Sequence, residues 1–204
     1  MRRYKAKGAQ HLKSYFTFNS AKGLIDSSQY LLDHITDGEY FKNHNKYSFI
    51  LVSAASLESL LNDGIISWAW QTFPKDDYKR HATAFLSMNL GKKLDALGFL
   101  LSSGKYITDN TCEIYQTLTN LIKLRNEVAH SKDFYTEAEV EYGLIDEDGG
   151  QSYTLPPEVA KKLERTPLNI TQEQCKAIVF SLQHLDGIFS FDIEHSESEL
   201  FKAL

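Results

Sequence analysis

The chain has 204 residues, 42% of them hydrophobic and 24% charged, so it can bury a full core and disorder is excluded as its default state. Its formal net charge of -5 and pI near 5.8 argue against nucleic-acid binding through a general basic surface, because counterion release needs many Lys and Arg on one face, and leave a local basic site open. Two cysteines, Cys112 and Cys175, supply neither a disulfide framework nor four zinc ligands, and are read as reduced, buried thiols within helices.

The start, "MRRYKAKGAQ", is basic but lacks the apolar run of a signal peptide, and residues 1–18 read as an irregular arm. No continuous apolar stretch near the length of a membrane span is visible, so the expectation is a cytoplasmic protein without membrane contact. From Asn19 the pattern turns helical. Leu24, Ile25, Leu31, Leu32 and Ile35 mark one face, Asn19 or Ser20 is the N-cap, and Gly38 closes the helix. A second helix runs from about Lys46 to Phe73 and stops at Pro74; Ile50, Ala54, Leu57, Leu61 and Trp68 form its stripe. Leu51, Val52, Ile65, Ile66 and Trp70 widen that stripe, which predicts the central helix. Leu90, Leu94, Leu97 and Leu101 define a third helix, ended by Gly104. A fourth begins near Thr108 or Asp109 and carries Ile114, Leu118, Leu121 and Val128.

After Lys132 the helical period disappears. Two β-prone runs around Asp148-Gly149-Gly150 predict a hairpin, and "PPEVAKKLER" offers Pro at a helix start. The last helix opens with Thr171 and Gln174 as a capping box and continues through Cys175, Ile178, Leu182, Leu185 and Phe189. The acidic stretch "DIEHSESEL" reads as solvated. The expectation is one all-α domain over 1–204, an up-and-down four/five-helix bundle (19–132 and 171–192) with residues 134–170 as a peripheral insertion carrying a small β-hairpin.

One residue breaks the stripe of the fourth helix. With Ile114 as zero, Leu118 lies at about +40°, Leu121 at about -20°, Val128 at about -40° and Arg125 at about +20°. A guanidinium on that face must meet a carboxylate, snorkel at the helix end, or lie at an interface where a ligand can bind. On the second helix Glu58 falls on an apolar shoulder, about +80° from Ile50, which suggests an interhelical Glu58–Arg125 pair with Asn62 adding a hydrogen bond. His130 and Asn126 share another face, at about +160° and +120°. One protomer therefore does not obviously bring Arg125 and His130 together unless the helix ends or bends by His130.

The stretch "RNEVAH", Arg125 to His130, resembles the Arg-x4-6-His signature of the HEPN superfamily. "SAASLESLLND" and "KKLDAL" are similar to the helices that pack against that motif, so the resemblance covers about residues 20–132 and extends to the last helix. It implies a bundle that dimerises with the motif helices facing each other, and a metal-independent endoribonuclease that uses no cofactor. His130 would be the general acid or base that assists attack of the ribose 2'-hydroxyl on the adjacent phosphate, and Arg125 would neutralise the phosphorane. Asn126 would be a positioning residue, with Glu58 and Asn62 as support. Homodimerisation, an RNA substrate and an antitoxin or regulatory protein are the implied partners, in toxin, antiphage or stress-response settings. Members paired with nucleotidyltransferase antitoxins often carry Tyr two residues after the His. Here that position is Lys132, which removes the acceptor for such regulation and offers a phosphate contact instead.

The alternative is the same bundle used as a non-catalytic dimerisation or partner-binding module, with an ion-paired arginine and a histidine favoured at a helix C-terminus. His11, His34, His44, His81, His184 and His195 show no metal-ligand spacing and read as surface or helix-end residues. Trp68 and Trp70 read as core or interface residues rather than a base-stacking platform.

Overall fold

The computed structural model describes residues 20–37, 45–130, 137–164, 166–190 and 198–204. These form an all-α fold with minor β structure, in this order: α1 (Ala21–Leu32), α2 (Asn45–Thr72), α3 (Tyr78–Leu86), α4 (Leu90–Leu101), β1 (Tyr106–Thr108), α5 (Glu113–Ala129), β2 (Tyr142–Ile145), β3 (Gln151–Tyr153), α6 (Pro157–Leu163), α7 (Gln172–Ser190) and β4 (Phe201–Ala203). A 3-10 turn at Pro167–Asn169 leads into α7.

Helix α2 is the centre. Phe49, Ile50, Leu57, Leu60, Leu61 and Ile65 are all buried, and α1, α3, α4, α5 and α7 pack around it. Each such side chain contributes about 1.5–3 kcal/mol through removal from water. Pro74 ends the helix as the sequence predicts, its carbonyl accepting from the N–H groups of Asp77 and Tyr78. Averaged along its length, α2 is nevertheless long and apolar enough to cross a membrane, which the search for a continuous apolar stretch did not reveal. Ser, Asn and Gly interrupt every continuous apolar run in α2, and only the average reveals its character. Here its neighbours are protein helices.

Four helices alternate in direction. Ser20, the residue before α1, has its hydroxyl 3.2 Å from that of Ser59 on α2, while Asn45 at the start of α2 donates to the carbonyl of His34 just past the end of α1. Helices α1 and α2 are therefore antiparallel. Cys175, in the first turn of α7, feels the charge of Lys46 at the start of α2, and burial pushes its thiol up to about 12. At the other end, a Cβ placed on Gly64 would lie 2.6 Å from the Phe189 ring, so α2 and α7 run parallel. Helix α5 is antiparallel to α7: Asp109, just before it, is bonded to Leu200, next to the Ser198 that meets His184 in the second half of α7, while the 3-10 turn that precedes α7 also packs against α5.

The predicted α7 cap is a pair of real contacts, whereas Ser20 before α1 makes no side-chain cap bond, α1 ends at Leu32, and Asn19 and Gly38 lie outside the described residues. Thr171 Oγ1 accepts from the Gln174 N–H at 3.2 Å while Gln174 Oε1 accepts from the Thr171 N–H at 2.9 Å, a reciprocal box that sets the start of α7. The hairpin forms as β2 and β3, and Gly149 takes the positive φ of 80° that its turn requires.

Three expectations change. Cys112 is not inside α5; it is the N-cap, its Sγ accepting from the Tyr115 N–H at 3.3 Å. The stretch ending at Leu200 is not all solvated, since Ser198 and Leu200 are buried and the Leu200 carbonyl accepts from the Asp109 N–H at 2.8 Å. There β4 pairs antiparallel with β1, Thr108 opposite Phe201, and His184 bonds Ser198 at 2.9 Å from the middle of α7 rather than from a helix end. Helix α3 and strand β1 are additions to the expected elements. Trp68 packs edge-on against Phe73 and Phe85, the latter from α3, in keeping with a packing role. His11, His44, His195 and Lys132 lie outside the described residues.

Candidate functional site

The motif occupies the last turns of α5. Ile114, Leu118 and Leu121 are buried in the core, whereas Arg125 and Val128 are only half-buried and Asn126 and His130 are exposed. The change is one of cover. Leu124 and Val128 still pack against the core, but after Leu121 no residue of α5 is fully buried. The apolar stripe continues in angle while the cover over it thins.

Helical geometry persists through Ala129, and His130 leaves it only as the C-cap, with φ -119° and ψ 22° and its N–H still bonded to the Asn126 carbonyl at 3.0 Å. No bend brings the imidazole round to Arg125. Within one chain the two side chains diverge by about 140° around the axis and about 7.5 Å along it. Arg125 Nη1 donates to Asn126 Oδ1 at 3.1 Å, its hydrogen bond among the described residues. A guanidinium has five N–H donors, so most of its capacity remains for another ligand.

Among the described residues Glu58 and Arg125 form no ion pair, and the expected interhelical pair is not made. The physical reason is axial. Tyr115, in the first turn of α5, donates to Asp95 of α4 at 2.6 Å, and Lys93 of the same helix donates to Asn62 of α2 at 2.8 Å. Asn62 therefore stands level with the start of α5. Arg125 is ten residues further on, about 15 Å along the axis, while the step from Asn62 to Glu58 covers about 6 Å. Glu58 is exposed, and Asn62 serves Lys93 rather than the motif.

That second polar cluster was not legible beforehand. Lys93 is buried, and Asp63, next to Asn62 in the sequence of α2, has a buried Oδ2 with no hydrogen-bond partner among the described residues. Burial pushes the Asp63 carboxyl above its ordinary range. The available signal was the position of Lys93, three residues after Leu90 and one before Leu94 on the stripe of α4.

At the motif end Lys123, Asn126, Glu127 and His130 are exposed and Arg125 is half-buried. The exposed carbonyls of a helix C-terminus repel anions, so a phosphate could be held there only by side-chain cations. A groove of about 390 Å³ between α5 and α7, lined by Glu113, Gln116, Thr117, Asn120, Glu173 and Ala177, lies along the first half of α5. Neither it nor the neighbouring groove at Phe180 and Ser181 includes the motif. Among the described residues no three His, Cys, Asp or Glu side chains cluster as metal ligands. Comparison of the chain with protein-family models, with curated proteins and with solved structures finds no match.

Proposed function

We propose that the protein is a dimeric, metal-independent endoribonuclease of the HEPN type, acting in a toxin–antitoxin, antiphage or stress-response setting. One observation carries the reading: a half-buried guanidinium with no carboxylate partner among the described residues, five positions before an exposed imidazole at a helix end. The divergence of Arg125 and His130 within one chain supports a composite site, in which α5 of a second copy faces the first and supplies the complementary groups.

In that site one His130 accepts the proton of the ribose 2'-hydroxyl as its oxygen attacks the adjacent phosphorus. The 2'-O–P bond forms and the P–O5' bond breaks, leaving a 2',3'-cyclic phosphate and a 5'-hydroxyl. The second His130 protonates the departing O5'. Arg125 binds the non-bridging oxygens through its fork and stabilises the added charge of the phosphorane, a role that a planar, permanently charged group fits. Asn126 orients Arg125 through the bond it already makes, and Lys132 adds a phosphate contact. Asn62 holds Lys93 and Glu58 lies in solvent, so neither takes part in the chemistry.

A non-catalytic dimerisation module is the second reading, favoured by the net charge of -5. The two separate in one assay: a mixed-sequence RNA incubated in EDTA with wild type, Arg125→Ala and His130→Ala, with circular dichroism on each protein. The nuclease reading expects cyclic phosphate ends from the wild type and silence from two folded variants. An inactive wild type that dimerises through α5 would establish the module, and a strict monomer at micromolar concentration would remove the composite site.

A further inference from the structure

Residues 137–153 carry an unused strand edge. Glu137, Glu139 and Glu141 are exposed, while Ala138 and Val140 between them are half-buried. That two-residue alternation is the signature of a strand, yet the backbone groups of 137–141 bond to no other described residue. The run leads directly into β2, which pairs with β3 on one side only. Tyr142 is 62% exposed, Leu144 94% and Ile145 68%, so the sheet's side chains find little cover in the fold. A two-stranded hairpin is marginal by itself, and an open edge accepts a further strand through main-chain hydrogen bonds.

Charge selects the kind of strand. From Glu137 to Ala160 the chain contains seven carboxylates and no Lys or Arg. Such a surface repels a nucleic-acid backbone and favours a cationic polypeptide. One segment of this chain has the matching pattern: in "RRYKAKG", Arg3, Lys5 and Lys7 alternate with Tyr4 and Ala6. Laid beside 137–141 in either direction, a strand of that sequence sets its three cations against Glu137, Glu139 and Glu141. Tyr4 and Ala6 then meet the apolar face of Ala138 and Val140, so charge and hydrophobic periods agree at once.

We propose that the edge formed by residues 137–145 is the docking site for the basic segment Arg2–Lys7 of the same chain, which adds to the hairpin as a third strand. Tethering supplies the segment at a high effective concentration without a separate partner. The inference stands independently of the ribonuclease reading, because none of its residues belongs to the motif.

The test is amide hydrogen exchange of residues 137–145 in the full chain at low ionic strength. Wild type is compared with R3E/K5E/K7E, with E137K/E139K/E141K and with the six-fold combination. Docking predicts exchange about tenfold faster in either triple variant and slow exchange restored in the combination, because three cross-strand charge pairs are broken and then remade in reverse. Equal exchange in wild type and R3E/K5E/K7E would overturn the proposal. So would failure of the combination to restore protection, or protection that rises with protein concentration, which would assign the strand to a second copy.

Discussion

The two halves of α5 share one stripe and do different work. In the first half Ile114, Leu118 and Leu121 are buried, and Tyr115 is tied to Asp95. In the second half positions at nearly the same angle hold Arg125 and Val128, both half-buried, with Asn126 and His130 exposed beside them. What separates the halves is cover: after Leu121 no residue of α5 is fully buried, although Leu124 and Val128 still touch the core. A helical stripe marks what faces a partner only while a partner lies alongside; beyond that point the same face can present chemistry.

The sharpest way to break this division is to compare activity with stability. His130→Ala is expected to lower RNA cleavage by about 10²–10⁴-fold, and Arg125→Ala by a comparable factor. Unfolding in urea should show each variant within about 1 kcal/mol of wild type, as for residues outside the core. Arg125→Lys keeps the charge and loses the fork, and a rate between those of wild type and Arg125→Ala would assign the fork a share of the effect. A large loss of stability in Arg125→Ala would instead place the guanidinium in the architecture.

The reverse pattern is expected in the first half. Leu118→Ala, at a fully buried site, should cost about 2–5 kcal/mol by the same unfolding measurement, with cleavage per folded molecule unchanged. A smaller effect belongs to the α7 cap: Thr171→Ala removes one arm of the reciprocal box and should cost about 1 kcal/mol, read as a lowered melting temperature.

The smallest effect depends on pH. Burial raises the Asp63 carboxyl above its unfolded value, so the folded chain binds more protons than the unfolded one across the interval between the two values. Stability must therefore fall as pH rises from about 4 through the raised value. Asp63→Asn removes that loss: the variant should melt above wild type at pH 7, and the gap should shrink as pH falls toward 4. A gap that widened on acidification would mean that Asp63 is held by a favourable partner and not opposed by burial.

Much of the bundle was legible in advance because its signals are local. Pro74 stops α2, Thr171 and Gln174 begin α7, and Gly149 turns the hairpin, each through backbone chemistry confined to a few residues. Helix α3 was missed because its nine residues bury only Ala82 and so carry almost no stripe. The β1–β4 pair was missed because three residues near position 107 meet three near 202, and nothing in either triplet names the other. For the site, the sequence by itself determined that a permanent cation stands at an apolar angle of α5, with an amide next to it and an imidazole five residues on.

Only the tertiary structure decided what that cation meets. A helical wheel specifies an angle about the axis and says nothing of the level along it. That level is set by how α2, α4 and α5 pack, and the packing puts Asn62 beside Lys93 near the start of α5 while Arg125 stands near its end. The remaining offset of about 9 Å between Glu58 and Arg125, invisible in the periodicity, leaves Glu58 in solvent and Arg125 without the partner its angle had promised.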